Sequence, residues 1–393
     1  MRWFRVQNFY DSWRPVYNVT RFFCLTTVTT NFIDRTSVRT STDHAMLIVG
    51  ILMCTLLAYN CFELYQEQKF TLTESYLISG GMFAYLIVLL SSVISVLILN
   101  YVHGFRAAKI YDILQRADQQ LLTHFGYHWN YQKEHLQAVV YISSAFLLQL
   151  LFVQLLSLSS PSFSQFQPLQ LIRMVSAFSW VMGCYQTLAS TTILQLTTIG
   201  KRFAILNTKM EENLEGYAMN PRRKIRQIAL THAMLSDTIR LFNTCFSKQI
   251  TFAMGCGFIF NLFAIFALIH AYAATTADSV TYSVARSNML FSGFFQSFIF
   301  QLVVFSNRLN YECKRCSIIV QKAVSYGQYD RTFVRECKMF SQQLMHHSPC
   351  VSSGLFDFDW TLCYTMIGSL ATYLVILLQF DFVNFNMHAE KIH

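Results

Sequence analysis

Charge is what this chain has least of. Only 13% of its 393 residues are Asp, Glu, Lys or Arg, while 53% are hydrophobic and 16% aromatic. An ordinary soluble domain carries about 25% charged residues, so the shortage excludes a soluble globular protein and leaves a membrane protein. The N-terminal "MRWFRVQNFYDSWRPVYNVTRFF" carries arginines without the compact apolar core of a secretory signal, so the N-terminus is expected to stay in the cytosol. In that topology Asn18, although in an Asn-x-Thr setting, is expected to be unmodified.

What is there is length in apolar runs. Stretches able to cross a bilayer, about 20 residues each, fall at 44–64, 75–101, 137–157, 171–197, 249–272, 288–307 and 360–380. The spacing predicts an all-α polytopic protein of seven transmembrane helices. Lys and Arg are divided 26 to three between the segments on the two sides, with Arg173 at a span boundary. Basic loops stay cytoplasmic, so the N-terminus is placed in the cytosol and the C-terminus outside. A G-protein-coupled receptor starts outside, and the chain also lacks a D-R-Y after its third span and an N-P-x-x-Y in its seventh.

Other absences narrow the class. No cysteine falls in an outer loop, and Cys24, Cys313, Cys316, Cys337 and Cys350 face a reducing compartment, which excludes a disulfide framework. No set of nucleophiles or metal ligands converges at membrane depth, as a membrane enzyme requires, and no metal or cofactor is expected. Paired broken helices and charges buried in the spans, the usual marks of a transporter, are missing too.

The expected organisation is a cytosolic segment at 1–43, helices one to four with their linkers at 44–220, and long helices of spans five and six with an anchor region at 221–359. A last helix at 360–380 and an extracellular tail at 381–393 follow. Below span five, Ile225, Ile228, His232, Leu235, Ile239, Phe242 and Phe246 recur at helical spacing. Leu309, Cys313, Cys316, Ile319 or Val320, and Ala323 or Val324 do the same below span six. Both spans therefore extend into the cytosol as helices. Two apolar stripes in water need cover, either from their own chain or, as this reading prefers, also from neighbouring subunits.

The last span reads "GSLATYLVILLQF". Stepping back from Gln379 by three and four gives Ile376, Thr372, Ser369 and Thr365, a polar face with one aliphatic interruption. Such a face either hydrogen-bonds a neighbouring helix, which the pattern alone favours, or walls a water-filled path that an apolar ring can close by dewetting. Asp357 and Asp359 just precede it, as helix caps or, repeated around an axis, as an acidic ring that concentrates cations.

Thr372-Tyr373, five apolar residues, then Gln379-Phe380 resembles the signature that closes the last helix of insect gustatory receptors. The similarity covers the whole last helix from Gly354-Leu355-Phe356 and, in outline, all 393 residues. The resemblance implies a taste receptor in the plasma membrane of sensory neurons. It would act as a ligand-gated, non-selective cation channel, a tetramer of identical or related chains whose last helices line the pore. Gln379 and Phe380 would form the outer gate, with Ile376 and Ser369 along the path and Thr372 and Tyr373 behind it.

By the same analogy a small-molecule tastant would enter from outside, among Tyr85, Gln149, Phe152, Trp180, Gln186, Phe266, His270, Phe294 and Phe295. Arg173 either snorkels to the interface or anchors an anionic or carbonyl-bearing ligand. Each aromatic alone is better explained by helix packing. The spans hold no Asp or Glu at mid-depth, and aromatic walls with few polar anchors suit apolar ligands. The expected ligand is therefore bitter-type, with a sugar as the alternative. Partners are the tastant, membrane lipid and other gustatory receptors, and no nucleic acid.

Overall fold

A backbone in lipid has no water to bond, so every N–H and C=O must be satisfied within its own segment. Helices follow from that constraint. The computed structural model describes residues 6–32, 34, 36–66, 76–159, 168–215, 221–273, 279–326, 329–346 and 349–390. These form α1 (Phe9–Phe22), α2 (Ser41–Gln66), α3 (Tyr76–Phe125), α4 (Tyr131–Ser159), α5 (Pro168–Glu215), α6 (Pro221–Ala273), α7 (Ser279–Tyr326), α8 (Arg331–His346) and α9 (Trp360–Glu390). One short antiparallel hairpin, β1 (Thr29–Asn31) against β2 (Thr36–Val38), joins α1 to α2 and is absent from the sequence reading.

Among the described residues six helices are long and apolar enough to cross a membrane. The seventh expected span, 171–197, lies in α5 and falls short on composition alone. The reason is position. Thr187, Ser190, Thr191, Thr192, Gln195 and Thr198 of α5 are all buried, so protein rather than lipid surrounds them, and Thr192 returns its hydroxyl to the Leu188 and Ala189 carbonyls. A helix enclosed by other helices has no need of a wholly apolar surface.

Four helices run far past their apolar stretches. Sequence periodicity anticipates this for α6 and α7; the structure adds α3, of 50 residues, and α5, of 48. Together they build a bundle at the charge-rich end, braced by α1 and α8. The stripe from Ile225 to Phe246 is buried throughout, as are Leu309, Cys313, Cys316, Ile319, Val320 and Ala323. Their own chain covers them, which corrects the expectation that these stripes join subunits: Leu235 and Ile239 have no surface left for a neighbour. Each large side chain so enclosed contributes about 1.5–3 kcal/mol.

His232 is part of that stripe, with its ring edge-on to Phe203 of α5 and Phe340 of α8 and Nδ1 3.3 Å from the Ser236 hydroxyl. Burial pulls its pKa down to about 4. A depressed histidine leaves stability intact above its unfolded value near 6.5 and removes it as pH falls, because only the unfolded chain takes the proton. The loss is about 2 kcal/mol at pH 5. Thermal unfolding of purified protein at pH 7 and pH 5 checks this: His232→Gln is expected to lose less on acidification than the wild type, and an equal loss in both contradicts it.

Candidate functional site

The last helix starts from a turn that only glycine enters easily. Gly354 has φ +85°, where a side chain would be strained, and the turn closes through Ser353 N–H donating to the Phe356 carbonyl at 3.0 Å. Asp359 then accepts the Leu362 N–H at 3.1 Å, capping α9. Asp357, beside it, is exposed and bridges to Ser352.

α9 differs from every other apolar helix in being uncovered. No residue of its apolar stretch is buried, against half of those in the apolar stretch of α6. One face packs: Leu374, Leu377 and Leu378 lie on Phe266 and Ala267 of α6, and the Tyr373 ring meets Phe258 edge-on at 6.3 Å. The other face is open, with Thr372, Ile376, Gln379 and Phe380 exposed and Ser369 partly so. Phe380 is 61% exposed. The Thr365 and Thr372 hydroxyls bond back to the carbonyls of Thr361 and Gly368 at 2.8 and 3.0 Å. The interhelical hydrogen bond favoured from the pattern is therefore not what these threonines make.

At the far end of α9, Asp381 Oδ2 lies 2.7 Å from His270 Nδ1 of α6. This contact, one residue beyond Phe380, escaped sequence reasoning because 111 positions separate its members. It also reassigns two expected ligand residues. His270 and Phe266 face α9 rather than a shared cavity, since α6 packs that side against the last helix.

The remaining expected ligand residues are partly gathered. Tyr85, Phe294 and Phe295 belong to one aromatic cluster, joined to Tyr85 through Phe260, which lies 4.6 Å from Tyr85, 4.9 Å from Phe291 and 5.9 Å from Phe295. Phe178 and Tyr185 of α5 complete it at 5.7 Å from Phe291 and 5.8 Å from Phe295. The Tyr85 hydroxyl lies beside the Cys256 thiol, with no oxygen or nitrogen partner among the described residues. Gln149 donates to the Ser179 carbonyl at 3.1 Å and leaves its own amide oxygen buried and unpaired.

The others lie apart. Gln186 bonds to Ser190 within α5, and Trp180 is half-buried against the core. Arg173 pairs with Glu63 of α2 at 3.3 Å, both partly exposed, a simpler account than either alternative drawn from sequence. The Phe152 side chain lies outside the described residues. Sequence reasoning missed Phe260, Phe291, Phe178 and Tyr185; only Phe291 lies a helical step from residues it named, three and four positions before Phe294 and Phe295.

At the charge-rich end the chain buries an ionic network. Arg202 of α5 is fully buried and donates through Nε and Nη2 to both Asp118 oxygens at 2.8 and 2.7 Å, and through Nη1 to Glu134 at 3.2 Å. Tyr131 donates to Asp118 at 3.1 Å, and the guanidinium lies 4.2 Å from the Trp129 ring and 4.8 Å from Phe9. Burial opposes the Arg202 charge, but Asp118 and Glu134 outweigh it and hold the pKa above its ordinary value. One residue thus ties α1, α3, α4 and α5.

A helical, multi-pass bundle with an uncovered last helix and an enclosed aromatic cluster is a polytopic membrane protein. The chain matches the 7tm chemosensory receptor family over residues 13–384 and belongs to it. Two Drosophila melanogaster proteins share stretches of sequence: Gustatory receptor 10a is 24% identical over 161 residues, 41% of this chain, and one designated gustatory receptor 28a is 26% identical over 177 residues, 42% of this chain. Each alignment spans 37% of the fly protein's length. The fold is similar to that of the insect olfactory receptor OR5 from Machilis hrabei. The TM-score is 0.67 for the receptor alone and in complex with eugenol, at 11% and 13% identity, covering 93% of this chain and 97% of that one.

Proposed function

We propose that the chain is a gustatory receptor acting as a ligand-gated, non-selective cation channel, assembled as a tetramer with copies of itself or with other gustatory receptors. The observation that carries this reading is the open face of α9. An apolar helix with no buried residue is incomplete in a single chain, and its open side bears Gln379, Phe380, Ile376, Thr372 and Ser369 rather than aliphatic residues alone. Four such faces around an axis make a path that is polar along its length and closed by benzyl groups at one end. Asp357 and Asp359, at the opposite end of α9, would form the cation vestibule on the cytosolic side.

Tyr85, Phe294, Phe295 and their neighbours are proposed to hold the tastant. Aromatic walls whose one polar group is a buried tyrosine hydroxyl with only a thiol beside it favour an apolar or aromatic, bitter-type compound over a sugar. The eugenol complex of OR5 supports a small-molecule ligand in this architecture. The protein is placed in the plasma membrane of sensory neurons, with the charge-rich bundle in the cytosol. Expression in a cell line with calcium imaging, alone and with other gustatory receptors, tests the reading. Aromatic compounds are expected to evoke cation entry that Phe260→Ala weakens at least tenfold in potency; responses to sugars alone would overturn the ligand assignment.

A further inference from the structure

A cavity of about 310 Å³ opens between the start of α4, the middle of α5 and α7 at the charge-rich end of the spans. Its floor is apolar, with Leu196, Ile205 and Phe305. Its rim carries Lys133, Lys201 and Arg308, one from each helix. Lys201 donates to Gln137, whereas Lys133 and Arg308 have no carboxylate partner among the described residues. Glu134, the one acid in the lining, is drawn away by Arg202 at 3.2 Å.

The three cations share a level. The apolar stretches of these helices end at 137, 197 and 307, and the cations stand at 133, 201 and 308. A lone lysine at such a boundary snorkels and needs no further account. Three converging from separate helices on an apolar floor are different, because the one acid among them, Glu134, is shared with Arg202 and answers their mutual repulsion only in part. It is felt at Lys201, whose pKa is lowered first by burial and further by Arg202, Lys133 and Arg308 against the opposing pull of Glu134.

We propose that this cavity binds the phosphate of an anionic phospholipid from the leaflet at the charge-rich end, its headgroup on Lys133, Lys201 and Arg308 and its acyl chains against the apolar floor. A phosphate dianion or diester accepts charge-assisted hydrogen bonds from all three cations, and the floor distinguishes a lipid from a free anion. Bound there, one lipid bridges α4, α5 and α7 beside the Arg202 network.

Native mass spectrometry of the purified full chain, in micelles doped with phosphatidylglycerol or phosphatidylcholine, tests this. The wild type is expected to retain phosphatidylglycerol selectively, and Lys133→Gln with Arg308→Gln to weaken that retention by about tenfold or more, since each basic residue near an anionic surface contributes roughly a factor of five. Arg331→Gln with Arg335→Gln, on α8 outside the cavity, is expected to change nothing. Ala204→Trp keeps the charges and fills the floor, and is expected to lose the lipid while unfolding at the wild-type temperature. Undiminished retention in the rim variant, or equal loss in the α8 variant, overturns the site. Displacement of the lipid by inorganic phosphate as readily as by phosphatidylglycerol overturns the lipid assignment. No current is read, so failure here is separable from failure of the channel reading.

Discussion

Phe380→Ala is expected to produce a standing cation current without ligand. Four benzyl groups meeting near an axis keep water out of a narrow path; methyl groups in their place leave it wide enough to wet. The usual objection to such a test is that removing a phenylalanine destabilises the fold, by about 3–5 kcal/mol in a core. Phe380 is 61% exposed in its own chain, so little of that cost applies, and surface expression is expected to stay near wild type. Phe266→Ala supplies the contrast. Phe266 is fully buried against α9, and its truncation is expected to lower surface expression without opening the pore. Currents and surface labelling measured together on the two variants check this. A Phe380→Ala protein that reaches the surface and stays shut would remove the gate.

Arg202→Met is expected to destabilise the protein by about 3–5 kcal/mol, the cost of leaving a buried carboxylate without its partner. Asp118 is nearly inaccessible, and in the variant only the Tyr131 hydroxyl would still bond it. Arg202→Lys is expected to recover little, because a point charge cannot reproduce the two parallel bonds of the guanidinium. Combining Arg202→Met with Asp118→Leu is expected to restore much of the loss. Thermal unfolding in detergent reads all three. An Arg202→Met transition no lower than that of Arg331→Met, an exposed control on α8, would contradict the network's structural weight.

Much of the fold is legible in the sequence because the bilayer imposes a length on every apolar run, and seven such runs with a 26 to three charge division leave few arrangements. The apolar stripe of α6 is equally plain, since helical spacing reports burial whatever does the burying. What the pattern cannot say is who covers it: Leu235 and Ile239, buried by their own chain, read the same as if another subunit covered them. The α5 span is weakened as a signal by its own enclosure, which relaxes the demand for apolar residues. Site residues divide along the same line. Gln379 and Phe380 can be singled out because local order carries their motif, and their role stays a proposal, whereas His270 with Asp381, and Arg202 with Asp118, are pairs made only by the packing of distant helices.

The most direct test of the central claim is cysteine accessibility along α9 during a ligand-evoked current, with the wild-type chain and its mostly buried thiols as background. A charged, water-soluble thiol reagent is expected to change the current through channels carrying cysteine at Ser369, Thr372, Ile376 or Gln379, and to leave it unchanged for cysteine at Leu374, Leu377 or Leu378. Modification confined to the leucine face, or absent from every position, would contradict a pore lined by the open face of the last helix.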